Sequence, residues 1–148
     1  VKVAGSGGLC YTCVMETWKS KNRHKYLLQY HIIFVCKYRK KLLMSKQISD
    51  DIKQFSYEIC QKHKVIIRYM ETDKDHIHYM IETEPTMSIS KIVNLMKSYT
   101  TYHIWKRYPN YLRKHFWNEH TFWTDGYFVC SVGNVSEEML RKYIENQG

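Results

Sequence analysis

Residues 65–83 read VIIRYMETDKDHIHYMIET, and the fold turns on this stretch. Val65 to Thr72 is rich in β-branched and aromatic residues, Asp73-Lys74-Asp75 supplies turn chemistry, and His76 to Thr83 resumes the extended pattern. An antiparallel hairpin follows from that order. In its second arm, alternation puts His76, His78 and Met80 on one face and Ile77, Tyr79 and Ile81 on the other. The apolar set calls for a layer of helices. The histidines then point to the opposite face, with side chains about 7 Å apart at the strand repeat.

Working outward, Tyr26 to Cys36 (YLLQYHIIFVC) is an apolar, β-branched and aromatic run ending in a basic turn, and predicts a central strand. Ser45 can cap a helix that aligns Ile48, Ile52, Phe55 and Ile59 on one face. Beyond the hairpin, Ser88 to Tyr108 predicts a long helix with Ile89, Ile92, Val93 and Met96 inward and Pro109 just past its end. A basic, aromatic connector leads to a fourth strand, Tyr127 to Val132. Gly133-Asn134 then turns, Ser136 caps, and a last helix begins with Glu137 and Glu138 at its electropositive end and runs to about Gln147. The order βαββαβ plus one helix predicts an α+β, ferredoxin-like (RRM-like) sandwich: an antiparallel sheet with two helices on one face and the other face open.

The chain has 148 residues and a formal charge of +9, with 23 Lys and Arg against 14 acids. A basic surface favours a polyanion through counterion release, and nucleic acid is the commonest such partner, although a merely solvated face would have the same composition. No window approaches the roughly 18 apolar residues of a membrane span, and nothing near the start reads as a signal peptide, so a cytoplasmic protein is expected. Cys10, Cys13, Cys36, Cys60 and Cys130 suit reduced thiols better than a disulfide framework, and the lone Cys10-Tyr11-Thr12-Cys13 is weak as a metal site. Residues 1–20, with Gly5-Ser6-Gly7-Gly8, read as an appendage to a single domain over 21–148.

Two imidazoles at i and i+2 of a strand are a natural pair of metal ligands, but they need a third donor and are equally readable as ordinary surface histidines. Tyr143 and Gln147 share one face of the last helix. Gln147 offers a carbonyl oxygen to a hard cation, and Tyr143 a phenol able to attack phosphorus. Leu140, Tyr143, Ile144 and Gln147 also make a plain amphipathic stripe, so spacing alone leaves both readings open.

Four blocks of sequence bear a resemblance. Tyr30 to Arg39 (YHIIFVCKYR), Asp73 to His78 (DKDHIH), Phe122 to Val129 (FWTDGYFV) and Ser136 to Gln147 resemble, in order, the first strand, histidine motif, fourth-strand segment and catalytic helix of the small single-tyrosine HUH transposases (histidine, hydrophobic residue, histidine). These are encoded by the simplest bacterial insertion sequences and by repeat-associated relatives. The resemblance covers roughly Lys25 to Gln147 and implies a transposase that cuts and rejoins single-stranded DNA beside hairpin ends.

By that resemblance Tyr143 attacks the scissile phosphate and keeps a 5′-phosphotyrosine. His76, His78 and Gln147 hold Mg²⁺ or Mn²⁺, and residues 135–148 form the catalytic helix. It also implies a homodimer in which the tyrosine helix of one subunit completes the histidine site of the other. Arg23, Lys25, Lys37, Arg39, Lys40 and Lys41 are assigned to DNA backbone phosphates. Tyr127 is the rival nucleophile, and Asp75 is either a partner of a histidine or an ordinary turn carboxylate. Two other classes compete: a ferredoxin-like nucleic-acid-binding module without catalysis, and a histidine-metal phosphodiesterase using bound water.

Overall fold

The computed structural model describes residues 19–21, 24–26, 28–131 and 137–147. Strands β1 (Lys19–Lys21) and β2 (His24–Tyr26) form a small antiparallel ribbon of their own, with Lys19 opposite Tyr26. Of the run expected as one strand from Tyr26 to Cys36, Tyr26 belongs to β2 and Leu28–Val35 form the central strand β3. The ribbon also straddles residue 20, where the appendage was expected to end.

Helix α1 (Lys46–Lys62) follows, capped by Ser45, whose Oγ accepts from the Ile48 N–H at 3.4 Å. The hairpin is β4 (Ile66–Thr72) and β5 (His76–Thr83). Helix α2 (Ile89–Arg107) is capped by Ser88 in the same manner. Next come α3 (Pro109–Phe116), β6 (Phe128–Ser131) and α4 (Glu137–Glu145). The main sheet runs β4-β5-β3-β6, antiparallel throughout, which is the split-βαβ arrangement the element order predicts.

Alternation sets the two layers. Ile32 and Phe34 of β3 and Ile77, Tyr79 and Ile81 of β5 are wholly buried in one cluster with Ile48, Ile52 and Phe55 of α1 and Ile92, Val93 and Met96 of α2. Two expectations change. Pro109 stops α2 but also opens α3 as its first residue, where a missing N–H costs nothing, and Leu112 and Phe116 of α3 enter the core. The second sheet face is not open: every residue of β5 is buried, and Ile33 and Val35 lie beneath Phe128, Tyr143 and Ile144. The amphipathic face of α4 finds its apolar partner there.

The connector before β6 is tied to α2 through a buried hydroxyl. Thr100 Oγ1 donates to the Met96 carbonyl at 2.7 Å and accepts from Trp123 Nε1 at 2.9 Å. Thr100→Val keeps the shape but strands the indole N–H, which is expected to cost about 1–3 kcal/mol. Urea unfolding of the variant measures it.

Candidate active site

The site begins with the register of three strands. His76 lies opposite Val35, His78 opposite Ile33, and Met80 opposite His31, so all project from one face. The hairpin turn and the segment after β3 are stitched together: Cys36 N–H donates to the Asp75 carbonyl at 2.8 Å and Leu43 N–H to that of Lys74 at 3.1 Å.

Each motif histidine has one nitrogen fixed and one left over. His76 Nδ1 lies 2.8 Å from Asp75 Oδ1, and Asp75 Oδ2 accepts from Arg39 Nε at 3.1 Å. A carboxylate can only accept, so His76 carries its proton on Nδ1 and presents a lone pair at Nε2. Tyr38 and Arg39 both take left-handed backbone conformations, with φ of 59° and 51°, in the turn that carries Arg39 to Asp75.

His78 Nε2 lies 2.8 Å from His31 Nδ1, with the rings stacked at 4.9 Å and the edge of Tyr69 closing the other side. With His31 accepting, His78 presents its lone pair at Nδ1. Both His76 Nε2 and His78 Nδ1 are buried and have no hydrogen-bond partner. Burial, then repulsion from His31 and His76, pushes the His78 pKa down to about 3, and burial lowers that of His31. Two neutral imidazoles with orphaned lone pairs, one oriented by a carboxylate, suit a divalent transition or Mg²⁺-like cation as part of its shell.

Among the described residues no group of three His, Cys, Asp or Glu side chains completes such a shell. The candidate from another residue type is Gln147. Helix α4 ends at Glu145 rather than reaching Gln147, which sits half-buried in the following turn with its N–H on the Ile144 carbonyl at 3.1 Å. Tyr143 packs over Ile33 and Val35, the residues paired with the two histidines, and its ring meets Phe128 at 5.5 Å. Its hydroxyl is buried without a partner, and burial pushes its pKa up to about 12. That oxygen lies 3.7 Å from where a Cβ on Gly126 would stand, on the far side of β3 from β5. Tyr127, the rival, packs with the opposite, helix-facing core.

The basic residues divide. Lys37 pairs with Glu119 at 2.7 Å and Arg39 with Asp75, so their charge is engaged inside the chain. Lys41 is exposed and Lys40 half-buried. Lys25 is described only as part of β2; Arg23, Cys10, Cys13, Gly133, Asn134 and Ser136 lie outside the described residues. Asp75, which the sequence left between a histidine partner and a plain turn carboxylate, is hydrogen-bonded to His76. His31 went without a role in the sequence because only strand register shows that it meets His78.

A family model described as "Transposase IS200 like" matches residues 24–147. The chain belongs to the IS200-like transposase family. It is 25% identical over 139 residues to the ISDra2 transposase TnpA of Deinococcus radiodurans, covering 94% of this chain and 97% of that one. It is 26% identical to the transposase for insertion sequence element IS200 of Salmonella typhimurium, covering 87% of this chain and 82% of that one. A crystal structure of a Deinococcus radiodurans R1 transposase superposes with a TM-score of 0.79 at 25% identity, covering 87% of this chain and 97% of that one. A repeat-associated tyrosine transposase bound to a REP hairpin shares the fold, with a TM-score of 0.52 at 14% identity, over 86% of this chain and 69% of that one. The protein is thus a DNA transposase. Among the described residues, no helix is long and apolar enough to cross a membrane.

Burial of His78 is expected to make the transposase acid-sensitive. The folded pKa of His78, about 3, lies below the ordinary 6.5, so the folded state holds fewer protons than the unfolded chain. Its contribution to stability is present in full above about pH 6.5 and is lost progressively as pH falls toward 3. Denaturant titrations from pH 7 to pH 4 test this, and His78→Gln is expected to flatten the fall.

Proposed function

We propose that this transposase nicks and rejoins single-stranded DNA through a covalent link to Tyr143, with His76, His78 and Gln147 holding a divalent metal. The observation that carries this reading is the pair of orphaned nitrogens, His76 Nε2 and His78 Nδ1, on the same sheet face as a buried, unpartnered phenol. When bound, Mg²⁺ or Mn²⁺ polarises the scissile phosphate and neutralises charge developing on its oxygens.

The chain's own residues do the rest. Asp75, braced by Arg39, fixes the ring of His76, and His31 fixes that of His78, so both ligands are oriented in advance. Tyr143 Oη forms a bond to phosphorus as the bond to the 3′ oxygen breaks. One proton passes, in net, from the phenol to the departing 3′ oxygen, leaving a 5′-phosphotyrosine and a free 3′-hydroxyl. Reversal, with a 3′-hydroxyl attacking the phosphotyrosine, rejoins the strands without a nucleotide cofactor. Tyr143 is a protonated phenol at neutral pH, and burial makes loss of that proton harder still.

The DNA partner we propose carries a hairpin, as in the repeat-associated relative, with exposed Lys41 and neighbouring Lys40 on backbone phosphates. The seat of the Tyr143 hydroxyl beside Gly126, across β3 from the histidine strand, supports a second element of the reading. On this reading the helix shifts to meet the metal, or comes from a second copy in a homodimer.

Incubating the protein with labelled, hairpin-bearing single-stranded DNA and Mn²⁺ is expected to give a denaturation-resistant protein–DNA adduct. It disappears in Tyr143→Phe and persists in Tyr127→Phe. Cleavage with no adduct would favour a metal-water phosphodiesterase, and binding without cleavage a plain nucleic-acid module. Calorimetry should show Mn²⁺ affinity falling at least roughly tenfold in His76→Ala, and by a similar factor in Asp75→Ala, which removes only the orienting carboxylate. For the arrangement of subunits, a mixture of His78→Ala and Tyr143→Phe proteins regains cleavage if the helix acts in trans. Two dead variants that stay dead when mixed would assign it to cis.

A further inference from the structure

The seat of Tyr143 is held from the other side of the sheet. Ile33 pairs with Phe128 while Cys36 pairs with Trp123, three steps along β3 against five along the facing chain. Two residues are therefore extra; the Thr124 N–H still donates to the Val35 carbonyl at 2.8 Å, and beyond it the chain bulges before rejoining β3 at Phe128. Lys97 of α2 holds this segment: its Nζ donates to the Thr124 carbonyl at 2.7 Å and the Gly126 carbonyl at 2.6 Å, with Asp125 at 3.4 Å. The same ammonium lies over the rings of Phe34 and Tyr127, at 5.3 and 5.8 Å. Gly126 is in turn the residue beside which the Tyr143 hydroxyl rests.

We propose that Lys97 is a positioning residue for the nucleophile, clamping the Thr124–Gly126 bulge so that Gly126 and Phe128 form a fixed seat for Tyr143. This rests on the reading of Tyr143 as nucleophile. The charge matters because a single ammonium, with several donors, converges on adjacent carbonyls, a task no neutral side chain of that length performs. Burial lowers the Lys97 pKa to about 8, an effect partly offset by the nearby Asp125 carboxylate. Lys106, Arg113 and His120 line the same cavity as Lys97 and add no acid that would hold its proton. As pH rises through about 8, the amine loses its charge and one of its three donors, and its hold on the bulge weakens.

The test compares wild type, Lys97→Arg and Lys97→Met in adduct formation across pH 6.5–9.5, with 3-fluorotyrosine placed at position 143 as a second reporter. Wild type is expected to lose rate on the alkaline side near pH 8. Lys97→Arg, which stays charged, shifts that limb to higher pH; Lys97→Met is slower by roughly ten- to a hundredfold at every pH and lacks the limb. The fluorine resonance moves with pH in wild type and not in Lys97→Met. An alkaline limb at the same pH in wild type and Lys97→Arg, or a folded Lys97→Met that cleaves at the wild-type rate, would overturn the proposal. Should the adduct survive Tyr143→Phe while the fluorine signal still follows Lys97, the assignment of the nucleophile fails and the clamp stands.

Discussion

Two imidazoles buried on a central strand constrain everything around them. A histidine removed from water must be neutral, and each of its ring nitrogens then looks for a partner. β5 has β3 on one side and β4 on the other, so its partners come from register: His31 from β3, the edge of Tyr69 from β4, and Asp75 from the turn that starts the strand itself. Asp75 in turn recruits Arg39 out of a left-handed turn, and the backbone beside it ties that turn to the hairpin. Each histidine ends with one nitrogen satisfied and one not. A fold selected only for stability would not leave two such atoms buried side by side, since an unsatisfied buried acceptor costs about 1–3 kcal/mol.

The layers and their order were legible because alternation and helical spacing are physical consequences of which residues must avoid water. Ile77, Tyr79 and Ile81 on one face and the histidines on the other follow from period two alone. What was not legible depended on groups distant in sequence. That Arg39 and Lys37 would be occupied by Asp75 and Glu119 could not be read from their charge, because a basic residue looks the same whether its partner is a phosphate or a carboxylate of its own chain. α3 was hidden by Pro109, which obeys two rules at once, ending one helix and starting the next. The open face was misjudged because whether α4 docks is decided by Ile33 and Val35, whose outward direction only matters once a partner helix exists.

The two halves of the candidate site differ in how firmly they are built. The histidine half is locked by short hydrogen bonds within a fully buried strand. The tyrosine half is a short helix laid on two aliphatic side chains and one aromatic ring, a contact without hydrogen bonds at the phenol. Apolar contact of that kind is non-directional and allows sliding at small cost, whereas the histidine network does not. On the proposed mechanism such a division has a use: the groups assigned to the metal are held by hydrogen bonds, while the helix that carries Tyr143 is held by apolar contact alone.

With apolar contact alone above it, the floor beneath Tyr143 becomes the element that sets its position. Ile33 and Val35 are fixed by the ladder, but the third support, Gly126, lies outside it, between Thr124, whose N–H still donates to the Val35 carbonyl, and β6. It takes its order from one ammonium on the opposite layer, so the geometry under Tyr143 is referred to α2 and through it to the main core. A bulge braced by a charge can release or re-form without unfolding the sheet, which a ladder of backbone hydrogen bonds cannot do. The site thus combines a rigid ligand set with an adjustable seat, and the boundary between them is strand β3.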